Sequence, residues 1–321
     1  MALPLSALRV LLAALEESCS CFVLGAGVSA PIVPLGAQLS ILVQERILTV
    51  GAFPAVPLPR DEVSDRILGP ARAWEGLDDF TVRDELVRHH LAPSAVRAAA
   101  VALLRPDPPQ WAPQYQVFNL SRHRLFLINF NVDSLADHYC SRHAIVNVHG
   151  TSLSAQERCR IQWESVVDAL QRYPGLREIR MPGLLLPQRE PSEIASADVY
   201  VLAGKFLSAT ERLFLVGYSF GDLDDHIAYE LVMSIIRSRR IPCVVVSPRP
   251  GDLVLRISAD AKAADVAPLP VYWDSLSAAI ICSRAQAKWK TCDHRRFCLR
   301  CIAYLYEVLL KSGNTRHSIS D

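Results

Sequence analysis

Short apolar runs alternate along this chain with stretches of helical spacing. Leu8, Leu11, Leu12 and Leu15 recur three and four residues apart, so an amphipathic helix opens the chain. The apolar run at 21–24 predicts a first strand, closed by a glycine turn. Residues 36–49, GAQLSILVQERILT, have helical spacing again, until the proline-rich AFPAVPLPR breaks the pattern. From about 79 to 104 the chain reads as helices, which PDPPQWAP at 106–113 ends. Further strands are predicted at 125–128, 144–148, 213–216 and 242–247, with helical stretches such as DLDDHIAYELVMSIIRSR between them. Strands that alternate with helices imply an α/β fold: a Rossmann-like, doubly wound parallel sheet covered on both faces. The expected organisation is one domain over 1–281, carrying a helical insertion at about 52–115 and a smaller one at about 151–197. Residues 282–321, with LRCIAYLYEVLL at 299–310, follow as a helical appendage with a frayed tail.

Composition narrows the class. Half of the 321 residues are apolar, enough for a sizeable core, and 34 basic against 33 acidic side chains leave a formal charge of +1. That balance exerts no general pull on nucleic acid or anionic lipid, so nucleic acid is expected as a partner only indirectly, although RSRR at 237–240 is locally basic. The N-terminal apolar run is cut by Glu16 and Glu17, and nowhere do about 18 apolar residues run together, so no membrane partner is expected. Nine scattered cysteines fit reduced thiols better than a disulfide framework, which suggests the cytoplasm.

Three segments carry chemistry. GAGVSA at 25–30 follows the first strand and fits the G-x-G-x-x-G/A dinucleotide pattern, in which a tight turn brings backbone N–H groups to a phosphate. Pro31 and Pro34 delay the next helix, and no acidic residue sits at the end of a recognisable second strand about 20 residues on to hold a ribose, so an ordinary dehydrogenase is disfavoured. INFNVD at 128–133 and AIVNVHG at 144–150 put Asn131, Asp133 and His149 at the carboxyl ends of neighbouring strands, where α/β folds bind ligands. Singly, Asn and Asp at such places often only cap helices. LFLVGYSFGDLDD at 213–225 contains Gly217-Tyr218-Ser219-Phe220-Gly221 and so also fits the G-x-S-x-G nucleophile elbow. A serine hydrolase at Ser219 would draw its base from His226, His294 or His317 and its acid from Asp252, Asp260 or Asp265. Asp222, Asp224 and Asp225 crowd the turn where an oxyanion would form, which disfavours that reading.

GAGVSAPIVPLGAQL, INFNVD, VNVHG and LVGYSFGDLDDH, in that order, resemble the sirtuin-like NAD-consuming proteins, in particular the branch of bacterial anti-phage defence. The resemblance implies a six-stranded Rossmann sheet with NAD across its carboxyl edge. It implies a pyrophosphate held by Gly25, Ala26, Gly27 and Ser29, a nicotinamide ribose and carboxamide held by Asn131 and Asp133, and His149 as catalytic base. Gly217, Ser219 and Ser247 would line the adenosine side. The chain departs from protein-deacylating relatives: VPLGAQL replaces their Gly-Ile-Pro-Asp-Phe-Arg run, Asn129 replaces a Thr, and between VNVHG and the Gly-x-Ser motif Cys159 is the single cysteine where they carry two zinc-binding CxxC pairs. The implied activity is therefore hydrolysis of NAD to ADP-ribose and nicotinamide by a defence effector, with NAD as substrate and no metal. Control would come from homo-oligomerisation, a defence-system partner or a phage-derived trigger. A module that binds NAD or ADP-ribose without turnover is the alternative. A neutral His149 as base predicts activity that falls below about pH 6.5. Cys292, His294, Cys298 and Cys301 could supply zinc ligands, but structural sites usually join two separated pairs, so packed thiols are the simpler expectation.

Overall fold

The computed structural model describes residues 5–16, 19–30, 32–33, 108–131, 133–148, 197–218, 220, 226–261 and 265–287, with the backbone alone at 197–199, 226–227 and 285–287. In chain order the elements are α1 (Leu5–Glu16), β1 (Ser20–Leu24), α2 (Ala26–Ser29), α3 (Pro113–Gln116), a 3-10 turn (Val117–Leu120), β2 (Phe126–Asn129) and α4 (Leu135–Tyr139). They continue as β3 (Ala144–Asn147), α5 (Ala197–Ser208), β4 (Arg212–Val216), α6 (His226–Arg239), β5 (Cys243–Ser247), α7 (Gly251–Ala261), β6 (Val266–Pro270) and α8 (Trp273–Ala287).

The strands form a six-stranded sheet in the order β3-β2-β1-β4-β5-β6, every described pairing parallel, with Phe22 beside Leu127 on one side and Phe214 on the other. Side chains alternate between the faces of a strand. Phe22, Leu24, Leu127, Phe214 and Val244 therefore pack against α1, the 3-10 turn and α8 through Leu8, Leu12, Phe118, Trp273 and Ile280. Cys21, Val23, Phe126, Leu215 and Val245 face the other way, onto Phe206 of α5 and Val232, Met233 and Ile236 of α6. Phe22 stacks on Phe214 at 4.7 Å and Phe126 on Phe206 at 4.8 Å, one pair on each face. Burial on both faces is why these strands read as continuous apolar runs rather than alternating ones.

The sheet agrees with the expected fold class, and five of its strands match the apolar runs to within a residue or two at each end. The sixth, VAPLP, is missing from that pattern because Pro268 and Pro270 break it; β6 is an edge strand, where a residue without an N–H costs no ladder bond on the open side. Helix α8 runs straight through 281–282, where the sequence suggests a boundary. Of the insertions expected at about 52–115 and 151–197, residues 52–107 and 151–196 lie outside the described residues, as do the helix expected at 36–49 and residues 288–321 of the appendage.

Candidate functional site

In a parallel sheet all carboxyl ends lie on one edge, and the strand order reverses between β1 and β4. That switch point is where open α/β sheets leave a crevice. The turn after β1 and the turn after β4 meet there at backbone contact distance. A Cβ on Gly25 would lie 2.5 Å from Tyr218 Cα, one on Gly27 2.9 Å from Gly217 Cα, and one on Gly217 2.7 Å from the Val28 nitrogen. Gly217 also has φ +60, the left-handed conformation that glycine adopts without penalty. These three glycines are thus accounted for by the crossing of two chain segments.

The crossing also consumes donors. Gly25 N–H donates to Val216 O at 3.0 Å and Gly27 N–H to Gly217 O at 2.9 Å. Of the positions expected to cradle a pyrophosphate, two have thereby given their N–H groups to the end of β4 and the turn after it. Ala26, exposed at the first position of α2, keeps a backbone N–H with no acceptor among the described residues.

Ser29 points away from any such cradle. Its hydroxyl donates to Asp133 Oδ2 at 2.5 Å, meets the Tyr115 hydroxyl at 2.5 Å, and accepts from Asn131 Nδ2 at 3.1 Å. Asn131 Nδ2 also lies 3.4 Å from the Tyr115 hydroxyl. All four residues are buried, so this chain of polar groups ties the turn after β1 to the loop after β2 in a place where unpaired polar atoms would be costly. Asp133 also accepts the Leu135 N–H at 2.9 Å, capping α4. Both carboxylate oxygens of that aspartate are thus engaged within the protein, one by Ser29 and one by the start of α4. Burial raises the Asp133 carboxyl above its ordinary value, against the lowering pull of Ser29 and the Leu135 N–H. Burial, with the Asp133 charge next in weight, pushes the Tyr115 hydroxyl well up, so it stays a neutral donor.

A second buried set braces the first. Asn129 Nδ2 donates to Asn147 Oδ1 at 2.7 Å, and Asn147 Nδ2 donates to both carboxylate oxygens of Asp137, at 2.9 and 3.1 Å. Asn129 also clamps the next loop: its Oδ1 accepts the Asn131 N–H and its Nδ2 reaches Asn131 O, each at 3.2 Å. The carboxyl ends of β2 and β3 are thus held by side-chain amides across one strand spacing. Beyond Asn147, Val148 N–H donates to Asn129 O at 2.9 Å. His149 and Ser219 lie outside the described residues, as do Cys292, His294, Cys298 and Cys301; among the described residues no cluster of three or more metal-ligating side chains occurs. Ser247, at the end of β5, turns its hydroxyl to the Arg249 N–H at 3.3 Å.

None of the three acids named for the hydrolase alternative is buried. Asp252, Asp260 and Asp265 are exposed, and Asp260 accepts the Tyr229 hydroxyl at 2.5 Å while the Arg256 guanidinium sits 3.9 Å over the Tyr229 ring. Burial and Asp260 together push the Tyr229 hydroxyl up to about 12.

Tyr115, Asn147 and Asp137 were not among the site residues that the sequence suggests. Tyr115 falls at the rim of the expected insertion, and no local pattern connects it with Ser29, 86 positions away. Its helix α3 is seated from the far end of the fold: Pro113 opens it, and Trp273 Nε1 donates to Gln114 O at 2.7 Å.

No protein-family model matches the sequence, and no curated protein matches it. Among solved structures, a chain described as "Structural Basis for the Mechanism and Regulation of Sir2 Enzymes" aligns over 96% of this chain and 98% of its own length, at 13% identity and a TM-score of 0.41. On its own sheet order and two covered faces, this chain is a Rossmann-like, doubly wound α/β protein.

Proposed function

We propose that the chain is an NAD hydrolase that splits the nicotinamide–ribose bond with water. The observation that carries the reading is the buried hydrogen-bond chain joining Ser29, Asn131 and Asp133. Two motifs that resemble those of sirtuin-like proteins, about a hundred residues apart, converge through it at the switch point of the sheet. Cleavage of this bond releases a neutral base from an oxocarbenium-like centre, so the leaving group needs no general acid and the protein's task is to bind, orient and deprotonate water. Asn131 supplies an amide at the carboxyl edge, Ala26 N–H is the backbone donor left for an anionic group, and His149, two residues past β3, takes the proton. Asp133 holds Ser29 and caps α4 rather than meeting ligand through both oxygens. In the cell this activity would deplete NAD, so we further propose control by self-association or by a partner or phage-derived trigger, in the manner of a defence effector.

The test is nicotinamide release from NAD by the purified protein, alongside Asn131→Ala, His149→Ala and Ser219→Ala. Release that vanishes in the Asn131 and His149 variants is the expected result. Binding without release in every preparation would instead identify a sensor module, and fluorophosphonate labelling lost only in the Ser219 variant, with no nicotinamide release, would restore the serine hydrolase.

A further inference from the structure

The four-residue chain around Ser29 has a polarity that follows from counting protons. Asp133 Oδ2 accepts from Ser29, which spends the one proton of that hydroxyl. The 2.5 Å contact between Ser29 Oγ and the Tyr115 oxygen therefore takes the proton of Tyr115, so the tyrosine donates and the serine accepts. No hydroxyl proton remains for the third contact of Ser29 Oγ, at 3.1 Å from the Asn131 side chain, and only an N–H can fill it. The carboxamide of Asn131 is thus turned with its nitrogen inward, and its Oδ1 has no hydrogen-bond partner among the described residues. The loop backbone cannot rotate to compensate, because Asn129 clamps it at both the N–H and the carbonyl of Asn131.

We propose that Tyr115 is a positioning residue of this site: by donating to Ser29 it fixes the Asn131 amide with its oxygen toward the ligand. The group bound there is accordingly a hydrogen-bond donor. On the reading of this edge as the NAD site, on which the identity of the ligand rests, that donor is the nicotinamide carboxamide N–H or a hydroxyl of ribose or water. Without the tyrosine hydroxyl, Ser29 loses the donor that keeps its own proton on Asp133 and the Asn131 amide nitrogen loses its second acceptor, so the amide is free to turn over, presenting N–H where the ligand presents N–H or O–H.

Tyr115→Phe removes the hydroxyl and keeps the ring, which stacks on Tyr139 at 6.2 Å. Nicotinamide release is expected to fall about tenfold in kcat with a smaller change in KM, the scale of one misdirected hydrogen bond. Tyr139→Phe is the control for stability alone, since its hydroxyl donates to Pro109 O outside the chain of four; it lowers Tm without the kinetic loss. An NAD analogue with an acetyl group in place of the carboxamide separates the donors. If the carboxamide is the donor, the wild type discriminates against the analogue and Tyr115→Phe narrows the gap. If a hydroxyl or water is, the variant slows both substrates equally. Tyr115→Phe that turns over both substrates at wild-type rates overturns the proposal. A second measurement does not depend on turnover: in protein labelled with 15N-asparagine, the Asn131 side-chain amide, identified by its loss in Asn131→Asp, exchanges slowly in the wild type and fast in Tyr115→Phe. That difference in a protein that neither binds nor cleaves NAD would sink the ligand reading and leave the positioning role standing. Equal exchange in the two proteins would sink the positioning role itself.

Discussion

Replacing Gly217 by alanine separates two uses of the glycine turns. If the glycines serve the crossing of the loops after β1 and β4, the added methyl disrupts the fold; if they serve a phosphate, it disrupts ligand binding alone. The new Cβ would sit 2.7 Å from Val28 N and 2.8 Å from Gly27 C, and both are backbone atoms that cannot swing aside like the end of a side chain. The residue would also hold φ +60, which costs an alanine about 1–2 kcal/mol. Overpacking adds about 1–3 kcal/mol. The sum, about 2–5 kcal/mol, is a large share of the roughly 5–15 kcal/mol that keeps a domain folded. Gly27→Ala carries the overlap without the left-handed penalty and should lose about 1–3 kcal/mol. The two changes share one contact, so the double variant should lose less than the sum. Gly204→Ala is the built-in control: it lies within α5, its methyl would stand 3.4 Å from Leu231 Cδ1, and the change should be neutral or stabilising by up to about 1 kcal/mol. Urea unfolding followed by circular dichroism reads all four variants at constant slope. Midpoints of Gly217→Ala and Gly27→Ala that match Gly204→Ala, with NAD binding lost, would refute the crossing argument and return these glycines to the phosphate.

Three further outcomes follow from the buried groups. His143 accepts the Leu125 N–H on Nδ1 and donates from Nε2 to Phe118 O; burial, with Arg142 next, lowers its pKa from 6.5 to about 4. The unfolded chain then takes up a proton below 6.5 that the folded one refuses until about 4, so stability is complete above 6.5 and falls between those values, by up to about 1.4 kcal/mol per pH unit. Urea titrations of wild type and His143→Gln across that window should show the slope difference, and parallel curves would deny the burial. Asp133 has the opposite sign: its raised carboxyl makes the charged form a cost to the folded state above the folded pKa, a cost that disappears as pH falls below the ordinary 3.8. Asp133→Asn should therefore be no less stable than wild type at pH 7 by thermal melting, while losing nicotinamide release; a large drop in Tm would show that the negative charge itself holds the loop. Asp137→Ala strands the Asn147 amide N–H in a buried place and should cost about 1–3 kcal/mol in unfolding free energy, and an unchanged midpoint would mean that solvent replaces the carboxylate.

The sequence by itself determined the class of fold. Runs such as FVL, LFLI and CVVV are apolar at every position because both faces of a parallel strand are covered, and their alternation with helical spacing admits few other architectures. It also marked Ser29, Asn131 and Asp133, which meet at one sheet edge because a parallel sheet brings the end of every strand to the same side. The edge strand Val266–Pro270 escaped it, since an edge tolerates prolines that a pattern of alternating or continuous apolar residues rejects. Only the tertiary structure decided what each polar group does. Gly25 and Gly217 are 192 positions apart, and nothing local in either turn says that they cross closely enough to exclude a methyl, or that the Gly25 and Gly27 N–H groups are taken by Val216 O and Gly217 O. Tyr115 reaches Ser29 because Trp273, 159 positions from Gln114, seats its helix. Secondary structure is written in short-range periodicity, which a single chain displays. The direction in which Asn131 turns its amide is a property of proton count and distance among four residues from three segments, and those distances exist only after folding.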